Sequence, residues 1–409
     1  MRNLAVVWVR SLNVRMKTPI FIIIPLLTIL LVIGMPIFEP DMLDSYLECN
    51  GKTSVTIPLT VTTIGGWDDY PVEAFLPCTN LTSINVNKRN LAFSSIDGVL
   101  FDKSKQTLLA YPRGKQGAYN IPNGVSTIEM GAFSNCLGLT SVTVPNSVTT
   151  IKRFAFYDCT SLTSITIAMD NAHYSSEDGV LFDKNKTTLI LYPAGKQGIS
   201  YTLPNNVTEI GNEAFESCTN LTSITIPNGV TKIGTSAFSG CTSLTSITIP
   251  GSVTSINNGI IFGIFDNCTN LTSINVNEDN TEYCSIDGVL FSKTKNTLIR
   301  YPSGKQGTYT IPNSVTEIGV NAFLGCTNLT SVTIPNRVTS IRNKSFKYCR
   351  NLRSITIQNP TPPNVESSVF DEISPNACFY VPAGSITAYR DANGWKEFNC
   401  IKAIASAPE

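Results

Sequence analysis

The sequence predicts a mainly β solenoid of about 23-residue coils, with β-hairpin insertions and a C-terminal β/α cap. Three observations carry this. First, residues 221–243 read LTSITIPNGVTKIGTSAFSGCTS, the next block restarts at Leu244 with LTSITIP, and near-copies occupy 139–161 and 329–351. Second, a longer segment recurs three times, at about 87–122, 169–204 and 277–312. Third, the repeat decays after Leu352 into a stretch of different composition. A coil this short cannot bury its apolar face alone, so neighbouring coils must stack on it. That stacking overrides the two or three domains that 409 residues would otherwise suggest.

At the N-terminus, Arg2, Arg10, Arg15 and Lys17 precede any acidic residue, and residues 20–38 (IFIIIPLLTILLVIGMPIF) contain nineteen positions without a charge. Residues 1–38 therefore read as a basic flank plus a hydrophobic signal peptide or membrane anchor. The positive flank would stay inside, sending the repeats outward, so the expected location is exported, at the cell surface or extracellular. Pro25 and Pro36 weaken a long uncleaved helix. Residues 39–52 form a leader, and 53–357 are the repeats. The first coil is irregular, with an insertion GWDDYP at 66–71, as terminal repeats often are.

Within the block at 221–243, Leu221, Ile224, Ile226, Val230, Ile233, Phe238 and Cys241 are the apolar positions. Alternation at Ile224 and Ile226 predicts a short strand with one face inward. Pro227 and Asn228 turn the chain, Val230 to Ile233 makes a second extended piece, and Thr235 to Phe238 a turn or short helix. Ala237 is small enough to let coils approach.

In the long insertions, Val99 to Phe101 and Thr107 to Tyr111 are two β-rich runs joined by Asp102 to Gln106, a hairpin signal repeated at 180–192 and 289–301. Spacings of 58, 59 and 58 residues between the flanking cysteines fix the insertion lengths. A four-residue insertion falls near 257–265. In the capping segment, 358–409, Asn359 to Pro363 is a rigid break, Ala377 to Val381 a strand, Ser385 the N-cap of a helix over 386–392, Gly394 its stop, and Ile401 to Ile404 a last strand.

Eight of twelve cysteines (Cys78, Cys136, Cys159, Cys218, Cys241, Cys268, Cys326 and Cys349) share one repeat position. They read as a ladder of small buried hydrophobes. Cross-coil disulfides stay geometrically open, because stacked strands lie about 4.8 Å apart. Cys378 and Cys400 are a candidate pair in the cap. No C-x-x-C pairing or histidine cluster suggests zinc.

The blocks LTSITIPNGVTKIGTSAFSGC and LTSVTIPNSVTTIKRFAFYDC, the inserts SIDGVLF…YPSGKQGTYTIPNSVTEIG and the ending YVPAGSITAYRDANGWKEFNCIKAI resemble the BspA-type leucine-rich repeats of bacterial surface proteins. The resemblance covers about residues 53–405 and implies an exported adhesin that binds host matrix or other cells. It also implies that the LTSITIP strands line a concave sheet, and it supplies no catalytic motif to carry over.

Chemistry is sparse. Net charge is zero and only 15% of residues are charged, which gives no footprint for nucleic acid. The one histidine, His173, has Ala92 and Glu282 at its position in the other inserts, so it reads as a loop residue. Asp97-Gly98 and its copies at 178 and 287 are turn pairs first. Gly114-Lys115-Gln116-Gly117 lacks phosphate-loop spacing. We expect no enzyme activity, no metal and no cofactor. Two binding surfaces are predicted. One is the outward face of the strands, Thr140, Ser141, Thr143, Thr163, Ser164, Thr166, Thr222, Ser223, Thr225, Thr245, Ser246, Thr248, Thr330, Ser331 and Thr333, an uncharged hydroxyl sheet suited to a protein or an extended polar ligand. The alternative is a row of hairpin-tip lysines, Lys103, Lys105, Lys184, Lys186, Lys293 and Lys295, suited to an acidic glycan or other polyanion. A structural repeat scaffold without its own ligand is the third reading.

Overall fold

The computed structural model describes residues 49, 51–64, 74–75, 77–257 and 263–405, which lie in one compact unit, Asp41–Glu409. The N-terminal hydrophobic segment, the 66–71 insertion and most of the 257–265 insertion lie outside the described residues. Among the described residues, no helix is long and apolar enough to cross a membrane.

Among the described residues, the coils after the first contribute short strands to two parallel ladders. Leu139–Val144 pairs in parallel with Ser164–Ile167, with Val142 opposite Ile165 and Val144 opposite Ile167. These four side chains are buried, while the intervening Thr143 and Thr166 are exposed. The second ladder runs through Glu209–Ile210, Lys232–Ile233 and Ser255–Ile256, in register. Between the ladders the A-F-x-x-C segment is a turn. Its direction requires left-handed backbone at two positions per coil, for example Phe154 (φ 57°) and Asp158 (φ 55°), or Glu213 and Ser217 (both φ 55°). The turn is stitched to the next coil by main-chain bonds, such as Phe215 N–H to the Ala237 carbonyl at 2.8 Å.

The insertions are the main departure from the sequence expectation. They are three-stranded meanders, not two-stranded hairpins: Phe93–Ile96, Val99–Asp102 and Thr107–Ala110 pair antiparallel in sequence order, and the third strand joins the second ladder in parallel with Thr127–Ile128. The extra strand is polar (FSSI, YSSE and YCSI in the three copies), which is why alternation did not reveal it. The middle strand is not on the surface. Val99, Leu100 and Phe101 are all fully buried, as are Val180 to Phe182 and Val289 to Phe291. Leu100 packs into the preceding apolar core, and Val99 and Phe101 into the following one. Leu181 and Leu290 face backward and their neighbours forward in the same way. Each meander is therefore a wall that divides the core, and three consecutive apolar residues are what a strand covered on both faces needs.

Between walls, aromatic rings stack in columns. Each column begins with the tyrosine that ends a meander: Tyr192, Phe215, Phe238 and Phe265 lie at successive centroid spacings of 5.4 Å. Tyr111 and Tyr301 start the other two. A buried asparagine pins the loop that leads into each wall. Asn171 Nδ2 donates to the Pro145 and Val148 carbonyls (3.0 and 2.9 Å), and its Oδ1 accepts from the His173 and Tyr174 N–H groups (both 2.8 Å). Asn90 and Asn280 make the same four bonds.

Seven of the eight column cysteines are buried thiols. Where a coil follows another directly, the thiol donates to the preceding phenylalanine carbonyl at 3.0–3.1 Å, as from Cys159 to Phe133 and from Cys241 to Phe215. Cys78 is a correction to the ladder: it forms a disulfide with Cys49 from the leader, which closes the first coil. Cys378 and Cys400 are also bonded, tying Cys378–Val381 to the last strand, Ile401–Ala403. The cap helix spans Ile386–Asp391. Ser385 precedes it but makes no side-chain capping bond, because it already belongs to a 3-10 turn, Ala383–Ser385. Trp395 is fully buried and donates its indole N–H to the Pro363 carbonyl at 2.9 Å.

Candidate functional site

The predicted hydroxyl positions form columns across the first ladder, set by strand register. Ser141 lies opposite Ser164 and Thr143 opposite Thr166. Ser223 and Thr225 pair with Ser200 and Thr202. Ser246 pairs with Ser273, and Thr248 with Asn275. Ser331 and Thr333 lie between Thr308 and Thr310 on one side and Ser354 and Thr356 on the other. All fifteen are exposed or half-buried.

The outermost threonine of the trio has a structural task. Thr163 Oγ1 donates to the Thr140 carbonyl at 2.9 Å, Thr222 to Ile199 at 2.9 Å and Thr330 to Gly307 at 3.0 Å. These hydroxyls knit adjacent coils where the strand begins. The Ser and second Thr columns are then the surface that can meet a ligand.

That surface is segmented. At each wall, an Asp-Gly turn sits against the last strand before it: the Ile84, Ile165 and Ile274 N–H groups donate to the Gly98, Gly179 and Gly288 carbonyls at 2.7–2.9 Å. Both turn residues have positive φ (Asp178 48°, Gly179 75°), a tight hairpin turn. A Cβ at position 179 would stand 2.8 Å from the Ser164 Cβ, so glycine is required there on space as well as on backbone. Beside each turn lies the G-K-Q-G motif, which has an architectural role. Its first glycine touches the preceding coil backbone, where a Cβ at Gly195 would be 2.6 Å from the Ser161 carbonyl carbon. Its lysine binds the Asp-Gly turn: Lys196 Nζ meets the Asp178 carbonyl at 2.6 Å and carboxylate at 3.0 Å, and Lys305 meets the Asp287 carbonyl at 2.6 Å. The hydroxyl sheet is thus a series of uncharged patches separated by Asp/Lys ridges.

The alternative lysine row is less free than its sequence suggests. Lys103, Lys184 and Lys293 turn back to donate to the carbonyls of the buried Asn90, Asn171 and Asn280. Lys186 pairs with Glu177 at 2.6 Å. Lys105, Lys186 and Lys295 occupy left-handed turn positions (φ 61°, 57° and 59°). Four of the six ammonium groups therefore serve the insert itself. His173 is exposed in the loop before Tyr174–Glu177. Among the described residues, no group of three or more His, Cys, Asp or Glu side chains could hold a metal ion.

Sequence reasoning missed a largely apolar cleft at the second wall, with two carboxyl groups in its lining. It is about 190 Å³ and is lined by Phe154, Phe156, Tyr157, Leu191, Glu213 and Glu216 among others. Glu216 is buried, accepts from the Asp158 N–H at 3.0 Å and from the Ser217 hydroxyl at 2.8 Å, and burial raises its pKa to about 7. Glu213 is also raised by burial, against the opposing pull of Arg153 at 2.7 Å. The signal available in sequence was Glu213-Ala-Phe-Glu216, the one A-F turn flanked on both sides by carboxylates.

The family model for the BspA type leucine rich repeat region matches residues 110–188, 194–306 and 301–390, in six copies. No curated protein sequence matches the chain. Solved structures do. A leucine-rich repeat protein from Eubacterium ventriosum is 27% identical over 79% of this chain and 83% of its own, with a TM-score of 0.52. A leucine rich cell surface protein from Faecalibacterium prausnitzii is 26% identical over 77% of this chain and 95% of its own, with a TM-score of 0.47. The register of the repeats, their cysteine column and the matched residues together place this chain in the family of BspA-type leucine-rich repeat proteins.

Proposed function

We propose that this is an exported cell-surface protein that binds macromolecules of host or neighbouring cells through the segmented hydroxyl face of its first ladder. The observation that carries this is the register itself. It sets the Ser141, Ser164 and Thr143, Thr166 columns, and their counterparts in later coils, side by side at a strand spacing of about 4.8 Å. Each hydroxyl offers a donor and acceptors without the desolvation cost of a charge. Single contacts of this kind are weak, and repetition along the ladder multiplies them. The Asp/Lys ridges break the face into patches, which supplies the spacing a uniform surface lacks. Family membership supports an outer location, and so does the basic flank followed by nineteen uncharged residues.

The test is the N-terminal residue and cell fraction of the protein isolated from the cells that make it, with protease added to intact cells. A terminus near residues 35–39 in the medium or on the outer face supports the proposal, as does an intact terminus in membranes with repeats cleaved from outside. An intact, protease-resistant chain in the cytoplasm overturns it.

A further inference from the structure

Among the register positions at which the second and third walls differ, one bears on the cleft. Strand Thr297–Arg300 carries Arg300 where Thr188–Leu191 carries Leu191, opposite Leu290 and Leu181 of the middle strands. Arg300 is fully buried. Its Nη1 donates to Asp266 Oδ1 at 3.0 Å and the Asn321 carbonyl at 2.6 Å, and its Nη2 donates to the Phe265 and Leu324 carbonyls at 3.0 and 3.3 Å. The third seam therefore holds a guanidinium as a built-in plug.

The second seam repeats that receptacle without the plug. Phe156, Glu213 and Glu216 stand at the repeat positions of Phe265, Asn321 and Leu324, so the three main-chain carbonyls recur. Leu191 has no polar atom to offer them. The space beside it is the cleft of about 190 Å³, enough for about six waters at liquid density. Tyr157 replaces Asp266, but two carboxylates enter from the opposite side, because Glu213 and Glu216 replace Asn321 and Leu324.

The charge balance favours a cation. Arg153 pairs with Glu213 and lies over the Phe154 ring at 4.9 Å, and Lys152 pairs with Glu129 at 2.6 Å. Glu129, Asp158, Glu213 and Glu216 against Lys152, Arg153 and Arg113, whose charge acts on Asp158, leave one carboxyl group in excess. Burying such a group is costly until a positive partner arrives. Tyr157, on the same wall and partly exposed, offers an aromatic ring, which planar guanidinium groups favour.

We propose that this cleft receives a guanidinium group on an alkyl chain, either the arginine side chain of a protein ligand or a free guanidinium compound. It does not depend on the hydroxyl face. The site would hold the group as the third seam holds Arg300, with Glu216 in place of Asp266.

The experiment is calorimetric titration of the full chain with three probes: agmatine, an acetylated and amidated pentapeptide with a central arginine, and the same peptide with citrulline. Saturable binding of agmatine or the arginine peptide is expected, with the citrulline peptide weaker by about tenfold or more, since it keeps the shape and loses the charge. Leu191→Arg should supply the plug and abolish binding, and Glu216→Gln should weaken it by about tenfold or more. A tighter arginine peptide points to a protein ligand, and tighter agmatine to a small molecule; either supports the site. No saturable binding of either guanidinium probe, equal binding of citrulline, or undiminished binding by a Leu191→Arg chain with wild-type melting overturns it. If Leu191→Arg does not fold, the citrulline comparison and Glu216→Gln decide.

Discussion

Replacing Arg300 by Leu, the residue at its position in the second wall, should destabilise the third seam. The substitution removes four charge-assisted bonds from a fully buried group. The Phe265 and Asn321 carbonyls keep their bonds from the Cys268 and Leu324 N–H groups, so the cost concentrates on Asp266. That carboxylate is almost fully buried and retains the Gly263 N–H at 2.6 Å. Breaking a buried pair from one side costs about 3–5 kcal/mol, and we expect about 4 kcal/mol here. Adding Asp266→Tyr, which recreates the second-wall pair of Leu191 and Tyr157, should recover about 2 kcal/mol or more of that loss, because the uncompensated charge goes with it. Native-state hydrogen exchange at the amides of Val289–Ser292 reads the local opening free energy. At about 4 kcal/mol, exchange there should accelerate roughly a thousandfold in the single variant. A single variant within about 1 kcal/mol of wild type would refute the reasoning, and so would a double variant no more stable than the single one, since the loss would then be packing alone.

Two further perturbations test the other buried polar groups. Burial raises Glu216 from an ordinary 4.5 to about 7, so the native state holds a proton that the unfolded chain releases. Its contribution is full below about pH 4.5 and is lost as pH rises through about 7; relative to Glu216→Gln, the wild type should weaken across that window by on the order of 3 kcal/mol in urea titrations. A flat difference between the two would remove Glu216 from the account. Asn171→Ala strips four bonds from a buried loop. It should cost about 3 kcal/mol and loosen exchange at Tyr174–Glu177, while the same change at exposed Asn228 should cost under about 0.5 kcal/mol; comparable losses at both positions would show that the buried bonds are not the cause.

Periodicity revealed most of the fold because stacking forces it. Every coil must repeat Leu, Ile and Cys where its neighbour does, and Val142, Ile165 and Cys159 are buried where the period placed them. The cap was legible for the same reason in reverse: its composition changes where the open core needs a lid. The walls were only half legible. Val99 to Phe101 announced a strand, but its partner FSSI is polar on a surface that alternation does not mark. Asn90 and its copies sit in runs such as Asn87-Lys88-Arg89-Asn90, where a turn residue and a buried clamp look alike. The site was legible as a column of hydroxyls, but not in its interruptions, which depend on three Asp-Gly turns folding back against the ladder. Nor could the sequence show that Thr163 and Thr222 donate to the coil before them. The Arg300–Asp266 pair joins residues 34 positions apart, outside the repeat period, so only the packed structure connects them.

The central claim is that the Ser/Thr face of the first ladder makes the contact with another cell, and adhesion of purified protein tests it most directly. Binding to host-cell monolayers and immobilised matrix protein should be compared for the wild type, for Thr143→Arg with Thr166→Arg and Thr225→Arg, and for Lys105→Glu with Lys186→Glu and Lys295→Glu. All six positions are exposed or half-buried, so the chains should fold alike. The account predicts that the threonine set loses binding by about tenfold or more while the lysine set keeps it. Full binding by the threonine set, with loss in the lysine set, would contradict the hydroxyl face and move recognition to the turn cations.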